Sequence, residues 1–196
     1  MASSYLTYQD LLETLVSGVL EQVDDGRPSP IVLIDGRAGS GKSTVAEKLQ
    51  NELFRQGESM PRIIHMDDLY EGWDGLAAGA EYLQRFILKP LADKQTATWQ
   101  EYNWELGKRD RWREFSGGTP LIIEGCGAVN LFTAELASFS VWLEVSEETR
   151  RQRWQERDGS RFDEFFDNWA AQELDFYATQ RSRELAQLEL LSPAVD

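Results

Sequence analysis

A glycine-rich loop followed by a lysine and two hydroxyl residues is the segment whose residue types most clearly suggest chemistry. Gly36, Gly41, Lys42 and Ser43 match the pattern G-x-x-x-x-G-K-[ST] within GRAGSGKST. Glycines at this spacing let successive backbone N–H groups surround phosphate oxygens, the lysine contacts the β- and γ-phosphates, and the serine hydroxyl is a ligand for Mg²⁺. A turn that only links a strand to a helix seldom needs this composition. The pattern therefore predicts that one continuous segment binds a phosphate chain: Gly36, Arg37, Ala38, Gly39, Ser40, Gly41, Lys42, Ser43 and Thr44.

Two adjacent carboxylates, Asp67 and Asp68, follow the apolar run RIIHM. Carboxylates at the end of a buried strand are costly unless they meet a cation, a hydrogen-bond donor or a substrate hydroxyl. One of them is suited to accept the proton of an acceptor hydroxyl during in-line phosphoryl transfer. The alternative is that the pair caps the helix that follows.

The elements that must position these residues alternate along the chain. The short apolar runs IVLI, RIIHM, PLIIEG and SVWLEV are typical of buried strands, and helix-capable segments separate them. This alternation predicts an α/β layered fold with a parallel sheet. Ligands of such sheets bind beyond the carboxyl ends of the strands, so residues 35–42, 67–70 and 124–127 are expected to share a site.

The remaining segments give further expectations. Residues 5–23 form a predicted helix because leucine and valine recur at spacings of three and four. A helix after the glycine loop is expected to bury Val45, Leu49, Leu53 and Phe54 on one side. The segment TATWQEYNWELGKRDRWREF forms either an inserted hairpin or an irregular lobe. Residues 161–185 are expected to form one long helix, and QLELL a final strand.

Composition limits the class of protein. The chain has 196 residues and 41% hydrophobic content, which predicts a single domain over residues 1–196. Its formal net charge of −14 disfavours nucleic acid as a partner. The single cysteine, Cys126, fits a reducing compartment, and the apolar runs are too short for a secretory signal or a membrane span. A cytoplasmic protein without membrane contact is therefore expected, and its oligomeric state stays open.

The motifs resemble those of the uridine kinase and phosphoribulokinase group of small P-loop kinases. DDLY, residues 67–70, is similar to the group's Asp-Ser-Phe-Tyr-like stretch after the second strand, and PLIIEGCGA resembles its third-strand motif. The resemblance reaches from about Ile31 to about Phe162. It implies a P-loop NTPase-type three-layer α/β sandwich, with a central parallel sheet flanked by helices, and transfer of a phosphoryl group from ATP with Mg²⁺.

The resemblance also implies roles for individual acidic residues. Asp67 takes the place of the general base that accepts the proton of the acceptor. Asp68 stands where the group usually has a small polar residue, and it helps to hold Mg²⁺ or its waters. Glu124 lies near the Mg²⁺ or its water shell. Helix capping and simple solvation are the rival readings for Asp68 and Glu124. His65 is expected to pack in or beside its strand.

Arginines cluster in TRRQRWQERDG, which resembles the arginine-bearing lid of these kinases and places that lid at residues 147–161. Arg153 and Arg157 share one helix face at i and i+4 and are the preferred pair for stabilising charge during transfer. The alternative is a solvated helix face whose arginines pair with neighbouring glutamates.

An acceptor lobe is expected at residues 70–116. YNW is similar to a Tyr-Asp-Phe-like segment of the nucleoside pocket, which implies that Tyr102 and Trp104, together with Tyr70, contact the substrate. The histidine that follows this segment in uridine kinases has no counterpart, because His65 is the only histidine in the chain. The acceptor therefore stays open among a nucleoside-like molecule, a nucleotide, a sugar acid and a vitamin precursor.

Two other classes of function fit the same loop. A nucleotide-dependent switch or regulatory ATPase would use nucleotide binding to order a partner surface and would need no small acceptor. A nucleotide-binding remnant without turnover is the second. The adjacency of Asp67 to an aromatic segment favours an ATP-dependent kinase with a small-molecule acceptor.

Overall fold

A five-stranded parallel sheet forms the centre of the structure, a computed structural model that describes residues 7–158 and 163–191. The strands, in chain order, are β1 Ile31–Asp35, β2 Arg62–His65, β3 Ala97–Asn103, β4 Lys108–Phe115, β5 Leu121–Glu124, β6 Phe139–Glu144 and β7 Leu188–Leu191. The central sheet has the order β2-β5-β1-β6-β7, and every neighbouring pair in it is parallel. The predicted final strand is therefore present as β7.

Helices connect these strands. They are α1 Tyr8–Asp24, α2 Lys42–Arg55, α3 Leu76–Tyr82, α4 Lys89–Ala92, α5 Glu147–Asp158, α6 Asp163–Gln180 and α7 Ser182–Leu185. A π-helical segment, Leu83–Leu88, joins α3 to α4. None of the helices in the described ranges combines the length and the apolar character that a bilayer crossing requires.

The two faces of the sheet carry separate apolar cores. Side chains alternate across a strand, so Val32 and Ile34 pack with residues of α1 and α2, while Leu33 packs on the opposite face with residues of α3 and α6. All three side chains are fully buried. Helices therefore cover both faces, and the predicted three-layer α/β fold class is confirmed.

The start of α1 is set by a capping box. The Thr7 hydroxyl accepts a hydrogen bond from the Asp10 backbone N–H, and the Asp10 side chain accepts one from the Thr7 N–H. These bonds satisfy N–H groups that the first turn leaves without a helical partner, so the helix begins at Tyr8. The prediction began it at Tyr5, which lies outside the described residues.

The inserted segment, TATWQEYNWELGKRDRWREF, forms a hairpin and not an irregular lobe. Strands β3 and β4 pair antiparallel, with a register shift between Glu101 and Tyr102. The hairpin forms its own two-stranded sheet and does not join the parallel sheet.

Two expectations about helices are wrong. The long helix expected over residues 161–185 is interrupted at Arg181, whose φ of 56° and ψ of 34° are left-handed, so α6 ends at Gln180 and α7 begins at Ser182. The turn brings β7 beside β6. Phe54 is 52% exposed, because it lies one residue, or about 100°, beyond the stripe that contains Leu53. Residues 159–162, the start of the expected helix, lie outside the described part of the chain.

Candidate active site

The glycine loop, residues 36–44, joins the end of β1 to the start of α2. Gly36, Gly39 and Gly41 have φ values of 146°, 82° and 94°. L-residues that carry a side chain rarely adopt these backbone conformations. Gly41 is the N-cap of α2 and has no side chain to cap the helix. The first-turn N–H groups of α2 are therefore placed to bind an anion, and the positive end of the helix dipole adds to the attraction.

Lys42 is buried at the base of the loop, with 7% of its surface exposed. Its Nζ donates to the backbone oxygen of Arg37 at 3.1 Å and lies 3.6 Å from Cys126 Sγ. Burial alone lowers the pKa of the Lys42 ammonium, but nearby anionic groups, including Glu124 and Glu173, outweigh burial and raise the pKa. The lysine therefore stays charged at neutral pH.

Ser43 and Glu124 bring two hard oxygen donors together. Ser43 Oγ donates to Glu124 Oε1 at 3.0 Å, and His65 Nδ1 lies 2.6 Å from the same carboxylate oxygen. His65 and Glu124 are opposite each other in the register of β2 and β5. The hydrogen bond to Glu124 raises the pKa of His65. His65 therefore lies at the end of its strand, with its ring held by a carboxylate.

This donor set fits Mg²⁺. A hydroxyl and one carboxylate are ligands that Mg²⁺ accepts when waters and substrate phosphates supply the rest. Across the described ranges, no group of three or more His, Cys, Asp or Glu side chains is arranged to hold a metal ion by itself. The residues Ser43 and Glu124 would thus share a cation with a bound phosphate chain.

Asp67 and Asp68 lie in a short 3₁₀ turn, Met66–Asp68, directly after β2. Asp67 is exposed and Asp68 is half-buried. Burial, reinforced by the charge of Glu101, raises the pKa of Asp68. The indole Nε1 of Trp104 donates to the backbone oxygen of Asp67 at 2.9 Å. The hairpin therefore contacts the turn that carries the two carboxylates.

One cleft of about 880 Å³ joins the glycine loop to this acidic turn. Most of the residues predicted to form a site line it: Ala38, Gly39, Ser40, Gly41, Lys42, Ser43, Thr44, Asp67, Asp68, Tyr70, Trp104, Glu124 and Arg153. The cleft also has indole walls from Trp73, Trp154 and Trp169. Anion-binding backbone, candidate metal ligands and a carboxylate thus face one space, as in-line transfer between two bound molecules requires.

The predicted aromatic residues have different places. Tyr70 lines the cleft, but its hydroxyl is buried and donates to the backbone oxygen of Cys126 at 2.6 Å. Trp104 is 39% exposed. Tyr102 does not line the cleft, and its ring packs edge-on against Trp104 with centroids 5.5 Å apart. Tyr102 is therefore placed to support Trp104.

The two predicted lid arginines lie on α5. Arg153 Nη1 is 3.4 Å from the backbone oxygens of both Gly39 and Ser40, so this guanidinium lies against the glycine loop. The backbone of Arg157 belongs to α5, but its side chain lies outside the described part of the structure. Of the loop residues, Gly36 and Arg37 do not line the cleft. Gly36 is buried, and Arg37 Nε lies 3.7 Å from Glu173 Oε2.

Asp35 has a role that sequence reasoning missed. This fully buried carboxylate accepts hydrogen bonds from the N–H groups of Gly36, Gly127 and Val129 at 2.6, 3.1 and 2.8 Å, and from the Tyr177 hydroxyl at 2.8 Å. It ties the start of the glycine loop to the segment after β5. Burial raises its pKa to about 6. The only sequence signal is its place at the end of a buried strand.

Sequence reasoning also missed the roles of Glu173 and Arg150. Glu173, on α6, is fully buried and accepts a hydrogen bond from the Ala38 N–H at 2.6 Å, although 135 residues separate the two. Arg150, on α5, is 2% exposed. No local pattern distinguishes these two residues from the other charged residues of amphipathic helices.

A glycine loop of this shape at the carboxyl edge of a parallel sheet defines a P-loop protein. A family model described as an AAA domain matches residues 32–168, and the chain belongs to that family. No curated protein gives a significant sequence match.

Solved structures show the same fold. A possible uridine kinase from Bacillus stearothermophilus is similar over 91% of this chain and 98% of its own, with a TM-score of 0.63 and 19% identity. A candidate fructose transport system kinase from Silicibacter sp. TM1040 is similar over 93% of this chain and 98% of its own, with a TM-score of 0.63 and 23% identity. The predicted resemblance to small P-loop kinases is confirmed at the level of the fold.

Proposed function

We propose that the protein is an ATP-dependent kinase that transfers the γ-phosphoryl group to a hydroxyl of a small metabolite, with a nucleoside-like acceptor as the leading candidate. One observation supports this proposal above the others. The glycine loop and Asp67 line the same cleft, and Ser43 and Glu124 lie within it. A loop that only switched between conformations would not need a carboxylate facing an aromatic-walled space.

The phosphate end of the cleft is assigned to the loop, Lys42 and two oxygen donors. Backbone N–H groups and the Lys42 ammonium bind the triphosphate. Ser43 and Glu124 are the residues that would hold Mg²⁺, with Asp68 assisting. When bound, Mg²⁺ supplies positive charge that offsets the negative charge on the phosphates.

The acceptor end is assigned to Asp67 and the aromatic residues around it. As the acceptor oxygen bonds to the γ-phosphorus and the bond to the bridging β–γ oxygen breaks, the hydroxyl proton passes to the Asp67 carboxylate and ADP leaves. Arg153 and Arg157 stabilise charge on the transferred group. Tyr70 and Trp104 form walls for the acceptor, and Tyr102 backs Trp104.

The proposal extends to the organisation of the chain. Residues 1–196 form one kinase domain, in which residues 70–116 receive the acceptor and residues 147–161 act as a lid. Closure of such a lid excludes water and completes the set of charges around the phosphates. The protein works in the cytoplasm, where ATP is available.

The test is ADP release in the presence of ATP and Mg²⁺ across a panel of acceptors. The panel contains nucleosides, nucleotides, neutral sugars, sugar acids and hydroxyl-bearing vitamin precursors. We expect one chemical class to stimulate ADP release well above the rate without acceptor, and the phosphorylated product to appear in equal amount. A rate that no acceptor stimulates, but that a protein partner changes, would contradict the kinase and favour a nucleotide-dependent switch.

A further inference from the structure

A buried ion pair contacts both backbone polar groups of one residue of the glycine loop, Ala38. Glu173 Oε1 accepts a hydrogen bond from the Ala38 N–H at 2.6 Å, and Arg150 Nη1 donates one to the Ala38 backbone oxygen at 3.3 Å. Arg150 Nη1 and Glu173 Oε2 are 3.8 Å apart, and Arg37 Nε is 3.7 Å from the same oxygen. Both polar groups of Ala38 are therefore fixed by two oppositely charged side chains that contact each other.

The pair is too deeply buried to act directly on a substrate. Glu173 is fully buried and Arg150 is 2% exposed, whereas Arg153 lines the cleft. Charges removed from water are stabilised only when good geometry and further hydrogen bonds compensate them. Here the backbone of the glycine loop supplies one hydrogen bond to each of the two side chains, and Cys126 Sγ donates a further one to Glu173 Oε1 at 3.3 Å. The stability of the pair and the shape of the loop therefore depend on each other.

The loop also touches the backbone of α5 beside this pair. A Cβ atom at Gly39 would lie 2.6 Å from the Arg150 backbone oxygen, which means that the loop approaches α5 as closely as a glycine allows. Arg153, on the same helix, reaches the backbone oxygens of Gly39 and Ser40. Helix α5 thus contacts three consecutive loop residues, and α6 contacts the first of them through Glu173.

We propose that Glu173 and Arg150 are positioning residues that hold the glycine loop in its anion-binding shape before the nucleotide arrives. This inference rests on the proposed function only in taking the ligand of the loop to be a nucleotide. A loop held in advance loses less conformational freedom when it binds phosphate, and a smaller loss gives a higher affinity. Arg150 thereby differs from Arg153, which faces the cleft.

Nucleotide affinity and local backbone opening test this role together. Calorimetry with a non-hydrolysable ATP analogue and Mg²⁺ measures Kd for Glu173→Gln, Arg150→Met and the double variant. Hydrogen–deuterium exchange over residues 36–44 reports the loop itself in the nucleotide-free protein. We expect each single variant to raise Kd at least tenfold and to speed exchange in the loop, while exchange in β1 stays unchanged.

A second ion pair between the same two helices serves as the matched control. Arg151 Nη2 lies 3.0 Å from Asp167 Oδ1, and both side chains are exposed. Exposed pairs contribute little, so Asp167→Asn should leave Kd within twofold of the wild type and leave loop exchange unchanged. The double variant of the buried pair should raise Kd by less than the product of the two single effects, because neither charge is then left alone.

The outcomes separate this inference from the proposed function. Folded Glu173→Gln and Arg150→Met variants with wild-type Kd and wild-type loop exchange would overturn it. A wild-type protein that binds no nucleotide would overturn the proposed function, while loop exchange would still test the positioning role. If Arg150→Met does not fold, Arg150→Lys keeps the charge and should give an intermediate Kd, whereas a wild-type Kd for that variant and for Glu173→Gln would contradict the inference.

Discussion

The Trp104 side chain donates a hydrogen bond of 2.9 Å from its indole nitrogen to the backbone oxygen of Asp67. Trp104 lies between β3 and β4, and Asp67 follows β2, so the bond joins two segments that are 37 residues apart. The Trp104 ring also packs on Trp73, with centroids 5.0 Å apart. The hairpin therefore fixes the backbone that carries the proposed general base.

Replacing this indole should impair transfer without affecting nucleotide binding. Trp104→Phe keeps an aromatic ring but loses a hydrogen bond whose net contribution is about 1 kcal/mol, so acceptor-dependent turnover should fall roughly fivefold. Steady-state kinetics and an ATP binding isotherm measure the two quantities. Trp112→Phe is the matched control, because Trp112 lies on the same hairpin and is 66% exposed. Equal losses in the two variants would remove the hydrogen bond from the explanation.

Alanine substitutions at two glycines with left-handed φ distinguish the cost of backbone strain from the cost of close packing. Gly39 has φ of 82° and a Cβ there would lie 2.6 Å from a backbone oxygen, whereas Gly57 has φ of 101° and nothing within 4 Å. Gly57→Ala should lower the free energy of unfolding by about 1 kcal/mol through strain alone. Gly39→Ala should lower it further and should weaken nucleotide binding at least tenfold. Urea unfolding and binding titrations measure both, and equal nucleotide affinity in the two variants would contradict the proposed packing of the loop on α5.

Because Ser43 and Glu124 are proposed to hold Mg²⁺, a variant without the Glu124 charge should require more magnesium. Glu124→Gln removes the negative charge while keeping the size of the side chain, so the Mg²⁺ concentration for half-maximal transfer should rise roughly tenfold or more. Glu105→Gln, on the hairpin side of the same cleft, should leave that concentration unchanged. The measurement is a Mg²⁺ titration at fixed ATP. An unchanged titration curve for Glu124→Gln would exclude this carboxylate from the metal site.

The buried Asp35 carboxyl group should make the free energy of unfolding depend on pH. Its pKa rises from 3.8 to about 6 on burial, so the folded protein keeps a proton that the unfolded chain has already lost. The stability from this group is therefore present below pH 4 and is lost as the pH rises through about 6, with a slope of up to about 1.4 kcal/mol per pH unit.

Urea unfolding of the wild type and Asp35→Asn between pH 4 and pH 6.5 isolates this effect. The difference in unfolding free energy, wild type minus variant, should decrease as the pH rises across that window. A difference that increases with pH would mean that hydrogen bonds to the Asp35 carboxylate outweigh its burial.

The sequence was sufficient for features whose signal is local. The four predicted strands and the glycine loop depend on short apolar runs and on a spacing that fixes backbone shape, so neighbouring residues carry the information. Because the carboxyl ends of parallel strands meet at one edge, the fold also brought Asp67 and Glu124 to the cleft of the glycine loop.

Features that depend on tertiary contacts could not be predicted from the sequence. Glu173 is one of several carboxylates on α6, and only the packing of that helix against Ala38 distinguishes it. The same holds for Tyr177, whose hydroxyl reaches Asp35 across 142 residues. The break at Arg181 has no glycine or proline to mark it, and it follows from the need to bring β7 beside β6.

We propose that the glycine loop binds ATP while Asp67 accepts the proton of the acceptor hydroxyl in the same cleft. The most direct measurement is a comparison of Asp67→Asn with the wild type, in which ATP affinity and acceptor-dependent ADP release are determined on the same protein. Asp74→Asn, an exposed carboxylate later in the same segment, is the control. We predict that Asp67→Asn binds ATP normally and loses transfer by roughly 10²-fold or more. Wild-type transfer by Asp67→Asn, or a wild-type protein that does not bind ATP, would contradict the account.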